Sequence, residues 1–136
     1  LLYFPFINIW LLLLECIPIN RKKPFKARGK IERGLKKDQH YPLVLFPEGT
    51  RSKGEDMGVF KSLGLKAAFD AGKTILPITI RNSYSAYEAH NRIRPAEIDV
   101  TVHPALNPSS YSSMDFKKFS ETVRGIIACT PGYGDF

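Results

Sequence analysis

The chain has only two cysteines in 136 residues, Cys16 and Cys129. They form neither a metal-ligand nor a redox spacing. Nothing therefore implies an oxidising compartment. Cys16 lies in an apolar run and is expected to be a small core residue. The three histidines, His40, His90 and His103, also lack ligand spacing and read as surface or strand residues. Internal repeats and low-complexity tracts are absent. No apolar run approaches the roughly 20 residues that a membrane-spanning helix needs. The longest, residues 1–14, is interrupted by Pro5 and Asn8. It lacks a cationic leader, which argues against a signal peptide. A buried or interfacial helix over residues 1–14 is the expectation. Tyr3, Phe4, Phe6 and Trp10 suit either a headgroup-level contact or a plain core.

What is present fits one partial domain over residues 1–136, with an end at 131–136 expected to fray. A chain of this length buries a real core, and a hydrophobic content of 43% is ordinary for a globular protein. The net charge is +7, and it is unevenly placed. Residues 21–37 hold nine cations, among them Arg21, Lys26, Arg28, Lys30 and Arg33, against the single acid Glu32. A solvated helix face would explain this cluster. So would a patch attracted to an anionic membrane surface, each cation contributing on the order of 1 kcal/mol. Nucleic-acid binding is the weakest reading. No such motif occurs, and Phe25 is the only interleaved aromatic.

Strand and helix patterns alternate along the chain. Residues 16–19 read as a short strand. Residues 24–37 read as a basic helix with Ile31 and Leu35 inward. The apolar run 42–46 reads as a buried strand. Residues 60–71 are expected to be a helix, lined by Phe60, Leu63, Ala67 and Ala71 and ended by Gly72. Residues 75–80 form a strand in which Pro77 implies an edge or a bulge. In residues 97–103, Ile98, Val100 and Val102 alternate to face one way. Ser112 and Asp115 suggest a capping box before a helix that presents Phe116, Phe119, Val123 and Ile126. Such alternation implies an α/β fold with a parallel or mixed sheet covered by helices. Residues 81–95 are polar and without period. A connection this long either covers a ligand or is an ordinary surface excursion.

The string Phe46-Pro47-Glu48-Gly49-Thr50-Arg51-Ser52 follows the run at 42–46. Ligands of open α/β sheets bind at the carboxyl ends of strands. Gly49 permits a sharp turn and close backbone approach. Arg51 offers a planar, permanently charged fork that matches phosphate oxygens. Thr50 and Ser52 add hydroxyl donors. Glu48 can accept from a substrate hydroxyl or hold Arg51 in place. The bland alternative is a polar turn with a surface salt bridge.

That full string, with Phe60-Lys61 after it, resembles the third block of the glycerolipid acyltransferases of lysophosphatidate acyltransferase type. Ile17-Pro18-Ile19-Asn20-Arg21 is similar to the second block, and Ile75-Leu76-Pro77-Ile78 to the fourth. The resemblance covers roughly residues 1–105. It implies a glycerol-3-phosphate-acyltransferase-like fold, incomplete at the N-terminus. It also implies acyl transfer from a thioester, acyl-CoA or acyl carrier protein, to the free hydroxyl of 1-acyl-glycerol-3-phosphate, giving phosphatidate. Glu48, Gly49, Thr50, Arg51 and Arg21 would then bind the acceptor lysophospholipid and its phosphate. No cofactor or metal is implied. Peripheral attachment at the cytoplasmic face of an anionic membrane is.

The sequence departs from that pattern twice. Asn20 stands where the family usually has Asp. The first block, N-H-x4-D, which would supply the general base and the Asp that orients it, is missing. Five residues after His40, His90 and His103 come Leu45, Pro95 and Pro108. The expectation is therefore a fragment that is itself inactive, with the His and Asp encoded upstream of Leu1. The rival is a non-catalytic module that binds a lipid headgroup at a membrane.

Overall fold

A computed structural model describes residues 5–17, 19, 24–36, 42–51, 54 and 56–129. The chain divides into two compact units, Leu1–Leu43 and Val44–Phe136.

The first unit contains two helices. Helix α1, Pro5–Leu13, starts on a proline, whose fixed φ and missing N–H suit a first helical turn. Trp10, Leu12, Leu13 and Leu14 are exposed. Residues 16, 17 and 19 carry no regular structure, so the strand expected at 16–19 is not present among the described residues. Cys16 is exposed rather than in a core. Helix α2, Pro24–Lys36, matches the expected basic helix. It buries Ala27 and Ile31, four residues apart on one face, and Leu35 is half-buried. Arg28 pairs with Glu32 one turn on, at 2.6 Å. Arg33 and Lys36 sit in the last turn, where cations complement the helix dipole.

The second unit holds the core. Leu65, Tyr111, Phe119 and Val123 are buried together, with Phe60, Phe69, Ile75, Phe116 and Ile127 packed around them. Helix α3, Ser62–Asp70, ends as the sequence predicts. Gly72 takes a left-handed φ of 57°. Its N–H bonds to the Phe69 carbonyl, and the Lys73 N–H reaches back to Ala68. This double closure satisfies carbonyls that the helix end leaves without partners. The buried face agrees with the expectation at Phe60 and Ala67 and differs elsewhere. Gly64, Leu65 and Ala67 are inside, and Ala71 is exposed.

Strand β1, Ile78–Arg81, pairs antiparallel with β2, Asp99–Val102. Pro77 cannot donate to a ladder, and β1 begins immediately after it. The chain rejoins the pairing at an isolated Ile75–Leu106 bridge. Ile78, Ile80, Val100 and Val102 share one face, which is exposed. Thr79, on the opposite face, is buried. Its hydroxyl donates to the Ile127 carbonyl (2.9 Å), so the Nε2–H of His103 must be the donor in the 2.7 Å bond to Thr79. Helix α4, Pro108–Tyr111, is a single turn. Helix α5, Phe116–Ala128, is capped by Asp115, whose carboxylate accepts from the Lys118 N–H at 2.8 Å. Ser112 instead ends α4, so the expected capping box at Ser112 does not form. Phe69, Tyr111, Phe116 and Phe119 form an aromatic cluster with centroid separations of 4.7–5.7 Å. Burial pushes the Tyr111 phenol up from its ordinary pKa.

The run at 42–46 has no ladder partner among the described residues, and Leu43, Val44, Leu45 and Phe46 are all exposed. The buried strand expected there is not formed. A strand is stable only when a neighbour takes its backbone groups.

Candidate functional site

The chain turns sharply directly after Phe46. The Gly49 N–H bonds to the Phe46 carbonyl at 3.0 Å, which places Pro47 and Glu48 at the two central positions of the turn. Proline presets the backbone angle for the first of these. Gly49 follows in a left-handed conformation, φ 61°, that most L-residues avoid. A second bond pins the turn from downstream: the Lys61 N–H reaches the Pro47 carbonyl at 2.7 Å. Phe60, next to Lys61, packs on the core. The turn is thereby tied to the start of α3. Leu45 fits against Gly64 of that helix, where any β-carbon would lie 2.5 Å from its Cδ1.

Two glycines make room for the functional side chains. A β-carbon at Gly49 would meet Lys61 at Cδ (3.2 Å) and Nζ (3.4 Å), so the Lys61 stem lies across the turn. A β-carbon at Gly58 would meet Glu48 Oε2 at 2.7 Å, so the Glu48 carboxylate rests against the Gly58 backbone. With its carboxylate placed there, Glu48 does not hold Arg51. The partner of Arg51 is Glu88, at 3.0 Å from NH1 to Oε1.

Glu88 comes from the long polar connection between β1 and β2. Asn82 opens it in a left-handed conformation and donates from Nδ2 to the Glu97 carbonyl (2.8 Å), which closes its base. A short 3-10 helix, Ser83–Ala86, follows. The N–H groups of Ala89 and Arg94 bond back to Tyr84 and Ala86. The connection is thus a folded loop that carries a carboxylate to the motif arginine.

Thr50 is exposed beside Arg51. Arg21, Asn20 and Ser52 lie outside the described residues, as does His40. His90 is exposed, and His103 donates to Thr79. Among the described residues, no group of three or more His, Cys, Asp or Glu could hold a metal ion. Sequence reasoning did not single out Glu88 or Gly58. Neither lies in the motif string, and only the folded chain brings them to it.

A family model described as Acyltransferase matches residues 1–81. The 1-acyl-sn-glycerol-3-phosphate acyltransferase of Borreliella burgdorferi is 29% identical over 129 residues, covering 93% of this chain and 52% of that protein. The protein of the same name from Escherichia coli is 28% identical, with the same coverage of each. The crystal structure of the 1-acyl-sn-glycerophosphate (LPA) acyltransferase from Thermotoga maritima superposes with a TM-score of 0.63 at 25% identity. It covers 75% of this chain and 41% of that one. The chain spans about half the length of the relatives it matches. The fold class expected from the sequence, α/β of the glycerolipid acyltransferase kind, agrees with this neighbour, while the sheet among the described residues is antiparallel rather than parallel or mixed.

Proposed function

This chain belongs to the acyltransferase family, and on that premise we propose that the intact protein acylates 1-acyl-glycerol-3-phosphate to phosphatidate. The donor is a fatty acyl thioester, acyl-CoA or acyl carrier protein, and no cofactor takes part. The free hydroxyl oxygen attacks the thioester carbonyl carbon, the carbon–sulfur bond breaks, and the hydroxyl proton ends on the departing thiol. The observation that carries this reading is the pinned left-handed turn at Gly49, two residues before the exposed Arg51. An acceptor whose phosphate is gripped by Arg51 has its hydroxyl a few bonds away, held for attack. Orientation of this kind can lower a barrier by several kcal/mol. Thr50 completes the acceptor site in this proposal.

An alcohol attacking a thioester near neutral pH benefits from a positioned base, commonly about 10²–10⁴-fold. His103 is engaged with Thr79, and no histidine here has Asp at the fifth following position. We therefore assign the base to none of these three histidines, with residues 1–136 as part of one acyltransferase domain. Attachment to the membrane is peripheral, at the cytoplasmic face. The test is thiol release by the purified intact protein supplied with acyl-CoA and 1-acyl-glycerol-3-phosphate. Phosphatidate formed in step with thiol supports the proposal. Binding of the lysolipid with no thiol released would identify a headgroup-binding module instead.

A further inference from the structure

We propose that Glu88 is a positioning residue for acceptor binding, the fixed anchor that aims the Arg51 guanidinium; this rests on the reading of Arg51 as the phosphate contact. The two partners are unequal. The Glu88 side chain is only 16% exposed, whereas that of Arg51 is 74% exposed. A half-buried carboxylate on a folded loop is the less mobile member, and a long exposed arginine is the one that gains a fixed direction. Glu88 has no other polar partner among the described residues, nor has Arg51. Among the described residues the carboxylate belongs to no wider network.

The loop is built to deliver it. Asn82 clamps the base to Glu97, and the Arg94 N–H returns to Ala86 across the segment that contains Glu88. The geometry also leaves Arg51 able to work. A guanidinium has five N–H donors in a planar fork. The contact to Glu88 runs through NH1, so donors on the rest of the fork stay available for phosphate oxygens. Glu48, the acid three residues before Arg51, is not this anchor, because its carboxylate lies against Gly58. Glu88 also falls beyond residues 1–81, the part matched by the family model.

The experiment measures acceptor and donor KM, kcat and Tm in the intact protein, with 1-acyl-glycerol-3-phosphate and a fatty acyl-CoA. The variants are Glu88→Gln, Glu88→Asp, Arg51→Lys and the double variant Arg51→Lys/Glu88→Gln. Glu88→Gln should raise acceptor KM by about two- to fivefold, the scale on which one exposed ion pair acts, with donor KM and Tm unchanged. Glu88→Asp, which keeps the charge, should stay closer to wild type. In the Arg51→Lys background the Gln substitution should add nothing, because coupled residues are not additive. If Arg51→Lys raises acceptor KM and Glu88→Gln does not, the anchor is wrong and the phosphate reading stands. If Arg51→Lys leaves acceptor KM unchanged, the phosphate reading fails and the anchor falls with it. A lower acceptor KM in Glu88→Gln would make Glu88 a competitor of the phosphate and overturn the positioning role. A lowered Tm with both KM values raised alike would reduce Glu88 to a structural residue.

Discussion

A β-carbon added at Gly58 would lie 2.7 Å from Oε2 of Glu48. The atom it meets is the far end of a flexible side chain, so Glu48 can swing aside without the backbone moving. Gly58→Ala should therefore displace Glu48 at little cost to the fold. The expected result is a Tm close to wild type and an acceptor kcat/KM lower by about three- to tenfold. A normal kcat/KM would mean that Glu48 is not used. Arg51→Lys tests the neighbouring group. A lysine keeps the charge but loses the fork, so acceptor kcat/KM should fall by about tenfold with donor KM unchanged. Unaltered acceptor kinetics would remove Arg51 from the site. At this scale the sequence was legible where function is local. The turn at Gly49 and the exposure of Arg51 follow from residues adjacent in the chain. The partner of Arg51 did not, because Glu88 is brought to it by the fold of a loop with no periodicity. The nearer acid, Glu48, was the natural candidate, and its carboxylate points elsewhere.

Most helices were legible, and strands only in part: those expected at 75–80 and 97–103 form, as β1 and β2, while those expected at 16–19 and 42–46 do not among the described residues. The spacing of Ile31 and Leu35 in α2, and of Phe119 and Val123 in α5, is set by one segment's own 3.6-residue period. The end of α3 was written in Gly72, which supplies the left-handed closure. A strand depends on a partner that its own residues do not name. Residues 16–19 and 42–46 are apolar enough, yet no ladder forms on them among the described residues. The pairing of β1 with β2 does form, and Thr79 then bonds it to α5. Ile127 lies in the last turn of α5, where carbonyls lack helical partners, and the Thr79 hydroxyl supplies a donor. Thr79→Val keeps the shape and removes both this bond and the one from His103. It should cost about 1–3 kcal/mol, read as a lower urea midpoint at constant m-value, while Thr79→Ser recovers most of the loss. A valine variant as stable as wild type would show that the bond joins these elements without stabilising them.

For the molecule as a whole, the open question is what the charge asymmetry is for. Among the described residues no helix is long and apolar enough to cross a membrane. The first unit nevertheless exposes Trp10, Leu12 and Leu13 on α1 and Leu14 just after it, and on α2 it carries Phe25, 91% exposed, ahead of Lys26, Lys30, Arg33 and Lys36. Apolar side chains and cations predict different responses to solution conditions. Attraction between the cations and anionic lipid is screened over about 10 Å at 0.1 M salt and over about 3 Å at 1 M. Insertion of Trp10 and the leucines is not screened. The intact protein should therefore bind vesicles containing anionic lipid more tightly than zwitterionic ones, and that preference should shrink as salt rises to about 1 M. Replacing Lys26, Lys30 and Lys36 with Gln should weaken the preference by about 1 kcal/mol per cation removed and leave the salt-insensitive remainder unchanged. Trp10→Ser combined with Leu13→Ser should lower that remainder and leave the salt dependence in place. Co-sedimentation indifferent to both salt and lipid charge would assign the basic helix to a solvated surface. Membrane attachment would then rest on the apolar helix alone.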